Sequence, residues 1–343
     1  MLITQRSRFL SIFAHIGPQL HELWPLIVRK IAFLACGPYR GGLIGQSWAT
    51  IFAGSGYGVT IYDIDSEQVT RALANTKLTL ERYEQEGCLR GNLSAHQQSS
   101  LIRGSNDLKS CLQNAIYVQE CVPESIEMKK KVFTQLDEYC EEKTIMASSS
   151  SCINSSQFTG DLKHRSNMLI AHPVNPPYFL PLVEIIPAPW TDPEITAQTR
   201  SLLEEVGQSP ITLNKEVPGF ALNRIQYAVI NECWSLLQSG VLSAADIDKV
   251  MYEGLGRRYA FIGPLETMHL NADGIVDYCK RYAEGAYNVS ATFTPPPIRY
   301  DIPTAELVEK ELGQITPPDK TNERKQWRDS QFAALDKLKR GSN

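Results

Sequence analysis

From Gly45 to about Asn214, short β-rich apolar runs alternate with helical patterns, and this alternation constrains the fold more than any other feature of the chain. The runs are Gly58 to Asp63, Ala115 to Val122, Thr144 to Ser149, Met168 to His172, Val183 to Pro187 and Pro210 to Leu213. Apolar runs separated by amphipathic helices are how a parallel sheet with crossover helices is written. The expected fold is therefore α/β, a doubly wound sheet. Ser66 to Glu86 and then Ser94 to Gly104 read as a helical region larger than a plain crossover needs.

After Pro218-Gly219 the β pattern ends. Leu222, Ile225, Val229, Cys233, Leu236 and Leu237 recur at helical spacing until Gly240. Further helices are expected at Ser243 to Glu253, Pro264 to Ala286, Thr304 to Leu312 and Thr321 to Leu338, with the Pro-rich Thr294 to Ile298 as a break. An all-α C-terminal domain follows the sheet. At 343 residues the chain has room for both, and a net charge of −4 gives no sign of a nucleic-acid partner.

Residues 1–40 are a different kind of sequence, with five Lys or Arg against a single Glu. The run Leu20 to Cys36 is apolar, but Pro25, Arg29 and Lys30 interrupt it well short of the ~20 residues a membrane span needs. The segment also lacks the Ser-rich amphipathic regularity of a transit peptide. The eight cysteines form no C-x-x-C pair and no cluster with histidine, so they read as thiols of a reducing compartment, with no zinc or other metal site. A cytoplasmic protein without a membrane partner is expected.

A dinucleotide site needs a strand, a glycine turn opening a helix, and an acidic residue about 20 positions later. Gly42-Leu43-Ile44-Gly45 supplies the last two glycines of that fingerprint, the helix Gln46 to Ala53 follows, and Asp63 ends the next strand. A carboxylate there accepts from ribose hydroxyls and repels a 2′-phosphate, which favours NAD over NADP. The domain is thus Rossmann-type. Its first glycine is missing, because Arg40 stands where that residue belongs. Alternatively the strand runs from Ile31 to Cys36 with Gly37 as a displaced first glycine, and Pro38, Tyr39 and Arg40 are inserted in the phosphate loop. The glycines from Gly54 to Gly58 follow a helix and lead into a strand, so they read as a cap.

The catalytic candidate is His172, expected at the carboxyl end of a parallel strand, where open sheets bind ligands. Glu184 lies in the next strand and could fix the tautomer of a histidine base. From spacing alone the pair equally suits a structural histidine beside an unrelated glutamate. Ser151, after another strand, and Asn223, early in the first C-terminal helix, could donate to a substrate oxygen. Each also suits a cap or a turn.

Taken together, several motifs resemble the 3-hydroxyacyl-CoA dehydrogenase family. They are Gly42-Leu-Ile-Gly-Gln-Ser-Trp-Ala49, Glu120-Cys-Val-Pro-Glu124, His172-Pro-Val-Asn-Pro-Pro177, Gly219-Phe-Ala-Leu-Asn-Arg224 and Gly263-Pro-Leu-Glu266. The resemblance runs from about Gly42 to the C-terminus. It implies an NAD-binding domain over 41–214 and a helical substrate and dimerisation domain over 215–343, behind the atypical segment 1–40. It further implies NAD contacts from the backbone of Leu43 and Ile44 and from Asp63, Glu124 and Lys129. His172 is then the base, Glu184 its partner, and Ser151 and Asn223 the groups around the reacting oxygen. The implied reaction oxidises a C3 hydroxyl, with L-gulonate the expected small hydroxy acid substrate, a 3-hydroxyacyl-CoA the alternative, and a homodimer the expected assembly. Arg258 favours the sugar acid, since a guanidinium can hold a carboxylate in a bidentate pair. A third reading is a folded but non-catalytic protein impaired by its altered start.

Overall fold

The computed structural model describes residues 30–35 and 41–341. Gly37, Pro38, Tyr39 and Arg40, and with them the first-glycine question, lie outside the described residues, as does most of the segment 1–40. The chain divides into two compact units, one running to Ala221 and taking in the chain again from Phe332, the other Leu222–Gln331.

The first unit is built on β1 (Lys30–Ala35), β2 (Gly58–Tyr62), β3 (Ile102–Ser105), β4 (Ala115–Cys121), β5 (Ile145–Ser148), β6 (Met168–Pro173), β7 (Leu182–Pro187) and β8 (Ser209–Thr212). They form one sheet in the order β3-β2-β1-β4-β5-β6-β7-β8. The order reverses between β1 and β4, which creates the switch-point crevice where open α/β sheets take ligands. All neighbours are parallel except β6 and β7, which pair antiparallel. The sequence reading put His172 at the carboxyl end of a parallel strand. In the structure only the β5 side is parallel, because the connection from Val174 to Pro181 is too short for a crossover helix and must return antiparallel. The strand expected at Ile31 to Cys36 is β1, paired with β2 on one side and β4 on the other.

Period-two alternation sends successive side chains to opposite faces. Ile31, Tyr117, Ala147 and Leu169 join one cluster with Trp48, Phe52, Leu80 and Leu203. Ala32, Val118, Met146 and Met168 join the other with Phe133, Leu136 and Phe158. The helices on the first face are α1 (Gly41–Gly54), α2 (Ser66–Gln85), α3 (Ala95–Ser100) and, later in the chain, the one that starts with Pro193. On the second face lie α4 (Leu108–Leu112), α5 (Ile126–Tyr139) and the short α6 (Ser156–Thr159), and the Pro193 helix is α7 (Pro193–Glu205). Side-chain caps start them: Asp65 accepts from the Glu67 amide at α2, Ser125 from Met128 at α5 and Asp192 from Glu194 at α7. β3 occupies residues assigned above to the second stretch of the helical region. It is a four-residue edge strand with a single buried apolar residue, so pairing with β2 rather than its own pattern creates it.

The second unit is helical: α8 (Leu222–Gln238), α9 (Ala244–Lys249), α10 (Gly256–Tyr259), α11 (Pro264–Leu270), α12 (Ile275–Ser290), α13 (Ile302–Ile315) and the start of α14 (Thr321–Gly341). Its small core joins Leu237, Ala244 and Ile247 to Leu236, Val308 and Leu312. The single helix expected from Pro264 to Ala286 is two, because the chain turns at Gly274 with φ of +105°. Between α9 and α10 the backbone makes a π turn, Val250–Leu255, closed by the Gly256 amide on the Met251 carbonyl. A Cβ on Gly256 would sit 2.7 Å from that oxygen, so only glycine closes the turn without displacement. Gly256 thus opens α10.

Candidate active site

His172 and Glu184 are direct partners across the β6–β7 ladder. Cross-strand partners in an antiparallel pair project to the same face about 5 Å apart. The His172 Nδ1 meets Glu184 Oε2 at 2.8 Å, with His172 5% exposed and Glu184 fully buried. The second carboxylate oxygen, Oε1, accepts the Ala221 amide at 2.8 Å. That amide is aimed by two residues with left-handed backbone, Gly219 (φ +75°) and Phe220 (φ +52°). Phe220 tolerates the conformation because its ring is buried in the core, with its centroid 5.5 Å from that of the imidazole. An ionised carboxylate only accepts, so Nδ1 carries the proton toward Glu184 and Nε2 keeps its lone pair for a substrate.

The turn after β5 is held from beneath by Glu124. Its Oε1 accepts from the Ser150 hydroxyl at 2.6 Å and from the amides of Ser151, Cys152 and Ile153 at 3.0 to 3.2 Å. Burial alone raises the Glu124 carboxyl, but the Ser150 hydrogen bond, the Lys129 charge and the turn amides outweigh it and hold it below the ordinary glutamate value. Ser151 is therefore presented by a turn with a fixed backbone. Lys129 is buried at 1% exposure, with Nζ 3.0 and 3.2 Å from the two Glu120 oxygens and 3.4 Å from Ser148 Oγ. Its distance to Glu124 is 3.7 Å. The ammonium is thus already committed inside the protein, to Glu120, which the sequence reading named only as part of a motif and gave no role. Glu120 and its neighbour Gln119 are both fully buried, and the available signal was two polar residues inside the apolar run of β4.

At the switch point, α1 starts at Gly41, so Gly42, Leu43, Ile44 and Gly45 lie in its first turns rather than in a loop ahead of it. The first four amides of a helix have no intrahelical acceptor, and no acidic side chain of this first turn competes for them. Asp63 follows β2, is 4% exposed, and accepts the Asp65 amide on Oδ1 at 3.0 Å. Orphan amides for a pyrophosphate and an oriented carboxylate for a ribose are the donor set a dinucleotide requires, and the residues fit one. In the helical unit, Asn223 is buried near the start of α8 and Arg258 is exposed on α10. The neighbouring Arg257 pairs with Glu253. No group of metal-ligating side chains occurs among the described residues, their seven cysteines carry thiols rather than disulfides, and no described helix is long and apolar enough to cross a membrane.

A doubly wound sheet with dinucleotide donors at its switch point and a buried His–Glu couple three strands away defines a Rossmann-type dehydrogenase. Residues 40–217 match the NAD-binding domain of 3-hydroxyacyl-CoA dehydrogenase, and residues 219–300 match its C-terminal domain. The chain belongs to the 3-hydroxyacyl-CoA dehydrogenase family, and its cofactor is NAD. It is 47% identical over 300 residues to the lambda-crystallin homolog of Mus musculus, covering 87% of this chain and 94% of that one. It is 32% identical to the L-carnitine dehydrogenase of Oceanobacillus iheyensis over 71% of this chain and 76% of that one. The solved structure of an NAD⁺-dependent 5-formyl-3-hydroxy-2-methylpyridine 4-carboxylic acid 5-dehydrogenase shares the fold, with a TM-score of 0.75, 24% identity and coverage of 91% of this chain and 98% of that one.

Proposed function

We propose that the chain oxidises the C3 hydroxyl of a small 3-hydroxy acid, with L-gulonate as substrate and 3-dehydro-L-gulonate as product. The observation that carries the reading is the buried His172–Glu184 pair with Nε2 left for a substrate hydroxyl. NAD, when bound, accepts the hydride from the carbinol carbon. His172 Nε2 takes the hydroxyl proton, and the imidazolium formed is stabilised by the fully buried Glu184 at 2.8 Å. The Ala221 amide keeps the carboxylate from rotating away. Ser151 on its braced turn donates to the reacting oxygen. The amides of Leu43 and Ile44 and the Asp63 carboxylate bind the dinucleotide, with Glu124 a further contact and buried Lys129 acting through the carboxylates it pairs with rather than touching the cofactor.

The exposed Arg258 supports a carboxylate substrate, and L-carnitine, named in the Oceanobacillus relative, is itself a small 3-hydroxy acid. The helical unit exposes Ile225, Tyr227, Phe261, Leu265 and Tyr287, an apolar surface that favours a homodimer through this unit. The thiol cysteines favour the cytoplasm. The test is initial rates of NADH formation with L-gulonate, L-carnitine and 3-hydroxybutyryl-CoA. The largest kcat/KM is expected for L-gulonate. A larger value for the acyl-CoA would replace the sugar acid with that substrate.

A further inference from the structure

Gln119 is fully buried on β4, on the sheet face that also carries Tyr117 and Cys121. Both protons of its amide are used. Nε2 donates to Ser149 Oγ at 2.7 Å and to the Ala171 carbonyl at 3.1 Å, while Oε1 accepts from the Tyr117 hydroxyl. Burial pushes the Tyr117 phenol well above its ordinary value, so it stays protonated and keeps donating. Ser149 opens the turn that Glu124 braces and that carries Ser151; Ala171 immediately precedes His172.

The topology explains why a side chain is needed here. β5 pairs with β6 only as far as Ser148 and Ile170. One residue on, the Ala171 carbonyl lies beyond the end of the shorter strand, and the Gln119 amide reaches across from β4 to meet it. A buried carbonyl left without a donor is costly, so this bond resists opening.

We propose that Gln119 is a positioning residue for the dehydrogenation: its amide clamps the turn carrying Ser151 to the strand carrying His172, and so sets the spacing at which one substrate hydroxyl meets both. The proposal rests on the roles given above to His172 and Ser151. It predicts loss of turnover without loss of cofactor binding, because displacement of about 1 Å in a reacting geometry costs up to ~100-fold in rate.

The test uses the full chain with NAD and L-gulonate, and the variants Gln119→Met, Ser149→Ala, the double variant and His172→Gln. Gln119→Met keeps the side-chain volume and removes both donors. Expected is a fall in kcat of about tenfold or more, with KM for L-gulonate changed by less than about threefold and NAD affinity unchanged. Ser149→Ala should lose less, and the double variant no more than Gln119→Met alone, since both break one clamp. In the chain without cofactor, hydrogen exchange should quicken at the amides of 149–153 in both single variants and stay unchanged along α5. A kcat for Gln119→Met within about twofold of the parent while His172→Gln has lost turnover, or losses that multiply in the double variant, would overturn the clamp. Should His172→Gln retain turnover, the His172 reading itself has failed, and unchanged exchange at 149–153 would then dismiss the clamp as well. If Gln119→Met does not fold, Ser149→Ala carries both readouts.

Discussion

Glu184→Gln separates a catalytic couple from a merely structural pair, and the geometry fixes what the change must do. Glu184 uses one oxygen on His172 Nδ1 and the other on the Ala221 amide, so both partners are donors. A glutamine has one acceptor. If its oxygen stays with Ala221, its NH₂ faces Nδ1, which must then give up its proton and move it to Nε2, where it blocks the base. If the oxygen turns to Nδ1, the NH₂ confronts the Ala221 amide and the backbone after Phe220 must shift. In either case the counter-charge is gone. Two unit charges about 4 Å apart at an effective dielectric of about 20 interact by about 4 kcal/mol. At 1.36 kcal/mol per decade that is about a thousandfold in kcat. The assay is steady-state NADH formation beside calorimetric NAD binding and a thermal melt. A kcat within about threefold of the parent, with unchanged binding and melting, would show that Glu184 stabilises no developing charge and would refute the mechanism.

Three further outcomes follow from the site. Asp63→Ala should narrow the preference for NAD over NADP by removing a carboxylate that repels the 2′-phosphate, read as the ratio of the two kcat/KM values; an unchanged ratio would place Asp63 away from the ribose. Arg40→Gly should tighten NAD binding, because Arg40 takes the place of the fingerprint's first glycine in the sequence, and calorimetry giving equal affinities would show that the cofactor does not need a glycine there. Glu124, held below the ordinary glutamate value, stabilises the fold above about pH 4.3 and loses that contribution as the pH falls through its own lower value. The melting temperature of Glu124→Gln should therefore lie below that of the parent near neutrality and converge with it in acid, and a constant offset across the range would exclude the linkage.

The sheet was legible in the sequence because its central strands are buried on both faces and read as continuous apolar runs, as in β6, where all six residues are buried. β3 was not, since an edge strand of Ile102, Arg103, Gly104 and Ser105 carries no such pattern. His172 and Glu184 were visible as a histidine and a carboxylate twelve residues apart, but the bond depends on antiparallel register, which spacing alone does not specify. Gln119 was passed over, and Glu120 entered only as the first residue of a motif, because a polar residue in an apolar run resembles a strand end. Only the positions of Ser148, Lys129 and Ala171 around them reveal a network. The π turn before Arg258 has no signature beyond Gly254 and Gly256, whose spacing also suits an ordinary helix end.

The central claim is that His172 is the base of an NAD-dependent hydroxy acid oxidation, and the most direct test is His172→Gln measured for kcat and NAD affinity in the same preparation. Glutamine keeps a polar group of similar reach but cannot take the hydroxyl proton. The account predicts NAD affinity and melting close to the parent, and turnover of L-gulonate lower by at least about a thousandfold, within the range general base catalysis contributes. Turnover within about threefold of the parent would contradict it and return His172 to the core as a hydrogen-bonded structural residue.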